Sequence, residues 1–222
     1  MQINLLQQLS YILFPRTSEE SASLNTYVDA TSFDSLKERT KHSKSPAIKT
    51  LYIGYPYDGT ISSLLDRIKL GREWDVLVEL SARFSTRVWI DSEIFIPIPE
   101  YIIPIPSDPK RKIKRGFHVA DMLAQELAKG ARRLGYSSLY LNALMKVKST
   151  NPQSGLTKEQ RSKNVKGNYV LRKETGHHLE RAEVLWLVDD IVATQSTLGE
   201  CARVLHKRYP RAQIHALVLS GN

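Results

Sequence analysis

Val184-Leu-Trp-Leu-Val-Asp189-Asp190-Ile-Val-Ala193-Thr194-Gln195-Ser196-Thr197 passes from a continuous apolar run, through two carboxylates, into a loop of small hydroxyl side chains. Five apolar residues in succession predict a strand covered on both faces, as in a parallel sheet. Helical spacing follows at Leu198, Cys201, Ala202 and Leu205, and a second apolar run spans Ile214 to Leu219. Strand, helix, strand at this spacing predicts a right-handed crossover between parallel neighbours. The acids therefore stand at the carboxyl end of a buried strand, where open α/β sheets bind ligands. Neighbouring strand residues point to opposite faces, so Asp189 and Asp190 are expected to play different roles. The loop after them leads into a helix whose first turn offers unpaired N–H groups and the positive end of the dipole, which together can hold a phosphate. Carboxylates for sugar hydroxyls beside a phosphate cradle describe a site for a ribose phosphate. A helix cap with a structural ion pair would show the same acidic pair.

Working outward, turn chemistry at Tyr57-Asp58-Gly59-Thr60 precedes Ile61, Leu64, Leu65 and Ile68 at helical spacing. A second helical pattern runs from Trp74 to Phe84, and Tyr101 to Pro106 reads as a short strand ended by its prolines. Val119 to Leu134 predicts an amphipathic helix with Met122, Leu123, Leu127 and Leu134 on its apolar side. Lys146 to Gly167 is poor in large apolar residues and predicts a long surface loop holding one short helix, started by the capping box Thr157-Lys-Glu-Gln160. Pro15 to Ile48 is polar and weakly periodic, so residues 1–49 are expected to form a helix and linker, or hood, ahead of a domain spanning 50–222. The tryptophans Trp74, Trp89 and Trp186 are expected as core anchors, Cys201 as a packed small residue, and His177 with His178 in a solvated turn.

The 222 residues include 32 Lys and Arg against 23 Asp and Glu, with one Cys and 41% hydrophobic residues. That length suits one domain of ordinary size with a substantial core. A single cysteine excludes an internal disulfide and a cysteine-based zinc cluster, and fits a cytoplasmic location. No apolar run reaches membrane-spanning length, and Met1 to Phe14 lacks the leading positive charge of a signal peptide. The basicity is local: Tyr101 to Thr175 holds 16 Lys and Arg against 5 acids, while the rest holds 16 against 18. Such a surplus predicts an anionic partner, a phosphorylated small molecule or nucleic acid, against the alternative of a merely soluble basic face.

The strand–acid–loop segment resembles the 5-phosphoribosyl-1-pyrophosphate (PRPP) signature of type I phosphoribosyltransferases. Further blocks narrow the likeness to the ComF family of competence-associated phosphoribosyltransferase-like proteins. These are Tyr57-Asp-Gly-Thr-Ile-Ser-Ser-Leu-Leu-Asp-Arg-Ile-Lys69, then Ile103-Pro-Ile-Pro106 followed by Arg115-Gly116-Phe117, then Gln153-Ser-Gly-Leu156 followed by Arg161 and Asn164-Val165. They cover roughly residues 55 to 220 in the family's order. The resemblance implies an α/β fold of the type I phosphoribosyltransferase kind, a twisted, mostly parallel sheet flanked by helices with a small N-terminal hood. Where the family has zinc-binding cysteines, this chain has Arg16, Thr17 and Ser18.

The resemblance assigns the catalytic place to Asp189 and Asp190, facing the ribose hydroxyls, and the 5-phosphate loop to Ala193, Thr194, Gln195, Ser196 and Thr197. Pro106, Ser107 and Lys110 match the pyrophosphate side, with Arg111, Lys114 and Arg115 adding charge. Gln153, Arg161 and Asn164 match a mobile lid. Mg²⁺ is implied, bound mainly through the substrate, with no metal ligand assigned to the protein itself. Two departures stand out. Family loops usually carry Gly where Gln195 stands, so this side chain is expected to crowd the cradle or impose a different backbone. His118-Val119 replaces the family's Asn-Gln.

Two functions follow. The first is a PRPP-binding protein, with phosphoribosyl transfer to an acceptor that the residues do not identify as an open alternative to binding alone. The second is a non-catalytic module that acts in DNA uptake by binding single-stranded DNA or competence proteins through the basic segment, Lys110, Arg111 and Lys112 included. A nucleotide-responsive regulator is a third, weaker reading. The oligomeric state is open, a dimer being compatible.

Overall fold

The computed structural model describes residues 40–71, 73–95, 97–108, 113, 116–147 and 165–221. The expected N-terminal helix, Lys110 to Lys112, Lys114, Arg115, the capping box at Thr157 and the lid residues Gln153, Arg161 and Asn164 lie outside them. The strands are β1 (Thr40–Lys41), β2 (Thr50–Pro56), β3 (Tyr101–Pro104), β4 (Leu139–Tyr140), β5 (Leu144–Lys146), β6 (Tyr169–Leu171), β7 (Val184–Val192) and β8 (Gln213–Gly221). The α-helices are α1 (Gly59–Asp66), α2 (Trp74–Phe95), α3 (Val119–Arg133) and α4 (Ser196–Arg208). A π-helical turn, Arg67–Gly71, continues α1, and a 3₁₀ helix spans Lys173–Leu179.

Six strands form one sheet in the order β1-β2-β8-β7-β3-β4, and β5 pairs with β6 in a separate antiparallel ribbon. Every pairing in the large sheet is parallel except β1 with β2. The fold is thus α/β, with a mostly parallel mixed sheet flanked by helices, as expected. The sheet's antiparallel edge, Thr40–Lys41, lies ahead of residue 50, where the compact part was expected to begin.

Strand periodicity divides the core in two. On one face Trp186, Val188, Leu217, Leu219 and Ile102 meet α1, α2 and α3. On the other, Leu185, Leu187, Ala216, Val218 and Ile103 meet α4 and the ribbon. The first core is aromatic: Trp89 stacks on Tyr136 at 5.5 Å and lies 5.0 Å from Trp186. Gly130 brings α3 close to α2, since a Cβ there would stand 2.6 Å from Ser85 Oγ and 2.7 Å from the Trp89 ring. The contact is locked by side chains that reach the α3 backbone: Ser85 donates to the Glu126 carbonyl and Trp89 Nε1 to the Leu127 carbonyl.

The second helical pattern extends past Phe84 to Phe95, because Val88 and Trp89 continue the buried spacing of Leu77, Leu80 and Phe84. Trp74 departs from its expected core place. As the first residue of α2 it is 47% exposed, with its ring edge-on to Phe117 beyond the helix end. Trp89, Trp186 and Cys201 are buried as expected, and His177 and His178 are exposed. The ribbon β5–β6 was not foreseen; its strands hold the two ends of the expected lid segment, with Val147 N–H donating to the Asn168 carbonyl. No helix among the described residues is long and apolar enough to cross a membrane.

Candidate functional site

Connectivity places the site. From β3 the chain crosses through α3 to β4, on the aromatic face, while from β7 it crosses through α4 to β8 in the opposite direction, on the other face. Adjacent strands whose connections diverge leave a crevice at their carboxyl ends, the usual ligand position in such sheets. Pro104 pairs with Val188, and Ile105 N–H donates to the Val188 carbonyl, so Pro106 and Ser107 run beside Asp189 and Asp190.

The two acids point as strand alternation requires. Asp190 forms an ion pair with Lys69 of the π-helical turn, and His118 at the start of α3 acts on it from the same side. Asp189 lies among Tyr169 of β6 and Cys201 of α4. Asp190 N–H donates to Asp189 Oδ1 at 2.9 Å, and Ile191 N–H to Asp190 Oδ1 at 3.0 Å. Burial pushes Asp189 well above the ordinary carboxylate range, and the neighbouring Asp190 charge adds to this. Burial also acts upward on Asp190, but attraction to Lys69 and the hydrogen bond with it outweigh that and hold this carboxyl low. Two adjacent acids thus take opposite protonation tendencies, the arrangement by which one fold obtains a hydrogen-bond donor and an acceptor side by side. Burial likewise raises the Tyr169 phenol, which lies within hydrogen-bonding reach of Thr197.

Beyond β7 the loop residues stand together. Ala193 is exposed, Thr194 Oγ1 and Ser196 Oγ share a hydrogen bond of 3.1 Å, and Ser196 and Thr197 open α4. Gln195 is the N-cap of α4 with φ 60° and ψ 4°, the only left-handed non-glycine among the described residues. Gln195 thus holds the left-handed conformation that glycine favours. Its side chain is engaged by the segment before β2, Oε1 accepting from Lys44 N–H at 2.9 Å and from Ser43 Oγ at 3.3 Å. A cleft of about 420 Å³ lies beside this loop, bounded by Lys44, Lys166 and Arg203 as well as Thr194, Gln195 and Ser196. Arg203 is already paired with Glu200, which also accepts from Gly167 N–H.

Sequence reasoning missed Lys69 as a site residue, although it ends the block Tyr57 to Lys69. The signal was a lone lysine closing an otherwise apolar helical stripe. His118 belongs at the site's edge, its Nδ1 3.4 Å from Asp121 Oδ2. Among the described residues no three His, Cys, Asp or Glu side chains gather as a metal cage.

No family model matches the chain. It is 32% identical over 165 residues to Competence protein F of Haemophilus influenzae, an alignment covering 72% of this chain and 67% of that protein. It is 27% identical to the DNA utilization protein YhgH of Salmonella typhi and 26% identical to that of Escherichia coli K12, each over 164 residues, 73% of this chain and 68% of the relative.

Proposed function

The chain belongs to the ComF family, and on that premise we propose that it binds PRPP or a related ribose phosphate in the crevice between β3 and β7. The observation that carries this reading is the pairing of a low-pKa Asp190 and a raised Asp189 with a hydroxyl-lined loop, all at one strand end. Asp190 accepts a hydrogen bond from a ribose hydroxyl, and the backbone of residues 193–197, turned at Gln195, receives the 5-phosphate. Pro106 and Ser107 border the pyrophosphate. In phosphoribosyl transfer the bond from the anomeric carbon to pyrophosphate breaks as an acceptor nucleophile forms its own bond there. The protein's contribution is positioning and charge, not a nucleophile. Neutralising the pyrophosphate charge is the chemistry an Mg²⁺ carried by the substrate would supply.

Calorimetry with PRPP and Mg²⁺ tests the reading. Saturable heat for the native chain that is lost in Asp190→Asn is expected; no heat, or the same heat in the variant, overturns it.

A second reading is favoured by the names of the relatives, one a competence protein and others DNA utilization proteins. In it the chain serves DNA uptake by binding single-stranded DNA or competence proteins through the basic segment. Affinity for a single-stranded oligonucleotide would then fall steeply with salt and drop on neutralising Lys110, Arg111 and Lys112. Absent or salt-insensitive binding removes it.

A further inference from the structure

We propose that Lys69 is a positioning residue of the acidic site, its ammonium holding the Asp190 carboxylate as the acceptor for a sugar hydroxyl. For its ligand the inference rests on the ribose-phosphate reading; for its geometry it does not. The Lys69 and Asp190 side chains are 17% and 22% exposed, largely sunk at the strand end yet not sealed from solvent. A salt bridge so placed is a poor device for stability alone, because desolvating both charges cancels much of their attraction. Its cost is explained if the carboxylate is needed there as a charge.

The backbone around Lys69 supports the same conclusion. Helix α1 runs without a break into the π-helical turn Arg67–Gly71. Such wide turns are rare and frequently occur at functional sites, since the added residue re-aims the side chains that follow. Ile68 is fully buried in the aromatic core, whereas Leu70 is exposed. The turn is thus anchored on one side of Lys69 and free on the other, with the ammonium directed to the end of β7.

The groups that act on the pair come from every element around it. Lys69 approaches Asp190 from the π-helical turn, and His118, itself beside Asp121, from the start of α3. Asp189 couples to Asp190 along the strand. On the far face Tyr169 of β6 and Cys201 of α4 surround Asp189, and Asp108 acts on Tyr169 from beyond β3. Among the described residues, Lys69 is the cation that pairs directly with Asp190, and its attraction and hydrogen bond are the largest influences holding that carboxyl low. Without it, the burial that acts upward on Asp190 loses its strongest opponent, and the carboxylate is weakened as an acceptor.

The test has two arms. In the ligand-free chain, carbon-13 titration of the Asp190 carboxylate should show it ionised below the ordinary carboxylate range. Lys69→Met should raise that titration by about one unit or more, and Lys69→Arg should leave it low. In calorimetry with PRPP and Mg²⁺, Lys69→Met should weaken binding at least about tenfold at pH 7, and more at pH 5, while Lys69→Arg retains affinity within about threefold. Lys69→Gln, a donor of similar length without charge, replaces the methionine variant should that fail to fold. An Asp190 titration unmoved by the loss of Lys69 overturns the inference, as does unchanged affinity. A native chain that gives no heat with PRPP removes the ribose-phosphate reading instead, and the positioning role is then decided by the titration.

Discussion

Asp189 and Asp190 are neighbours in the chain, yet they live in different regions of the molecule. Asp190 opens onto the face packed by α1, α2 and α3, where Lys69 and His118 favour its charge. Asp189 opens onto the face packed by α4 and the ribbon, among Tyr169 and Cys201, where the attraction of Lys69 does not outweigh burial and the neighbouring Asp190 charge. One peptide unit separates a carboxyl held low from one pushed well above the ordinary range. The difference teaches that a strand end samples two environments at once, so a doublet of identical residues need not be redundant.

The most direct way to break this comparison is to amidate each acid in turn. Asp190→Asn should weaken ribose-phosphate binding by up to about a hundredfold, since a charged acceptor is lost. Asp189→Asn, which resembles the protonated acid, should stay within about threefold. Equal losses in calorimetry would show that the two faces do not discriminate.

Next in size is a pH effect on the aromatic face. His215 is buried on β8 with neither ring nitrogen hydrogen-bonded, and burial pushes its pKa down to about 4. A histidine depressed in the folded state stays neutral while the unfolded chain takes up a proton, so stability is full above about pH 6.5 and declines as pH falls toward 4. Denaturant unfolding should show a loss of about 2 kcal/mol between pH 7 and pH 5 from this residue. His215→Leu should flatten that slope. Asp189 works in the opposite sense: its raised pKa makes the native state take up a proton first, which adds stability as pH falls. Asp189→Asn should therefore steepen the acid loss.

The two faces should also answer differently to a methyl group. Gly130→Ala forces a Cβ against Ser85 and Trp89 and should cost about 1–3 kcal/mol despite better helix propensity. At Gly199, on α4, the nearest atom is Ser45 Cβ at 3.3 Å, and Gly199→Ala should change thermal stability by less than about 1 kcal/mol. The smallest effect belongs to Gln195→Gly. Relief of the left-handed conformation and loss of the bonds to Ser43 and Lys44 should nearly cancel, within about 1 kcal/mol. Amide exchange at Lys44 should nonetheless quicken, because its acceptor is gone.

Much of this was legible beforehand. The unit β7–α4–β8 followed from two apolar runs around a helical spacing, and the opposed acids from the two-residue period of a strand. Lys69 was quoted within its block but not connected to Asp190, because that contact spans the crossover from the first helix to the seventh strand and no local pattern encodes it. The Gln195 substitution looked disruptive, since its cost is local and visible whereas the compensating bonds from Ser43 and Lys44 are distant in sequence. Trp74 misled for a related reason: composition marks a tryptophan as core, but a first helical residue lies where the packed face begins.

By itself, then, the sequence determined the elements, the parallel arrangement of β7 with β8 and the place of the acids at a strand end, because backbone periodicity and apolar burial act over a few residues. The tertiary structure alone decided which acid is held low and which is raised, and how the loop is held. Those outcomes depend on desolvation and on charges brought together from separate elements, and such energies exist only once the chain has folded.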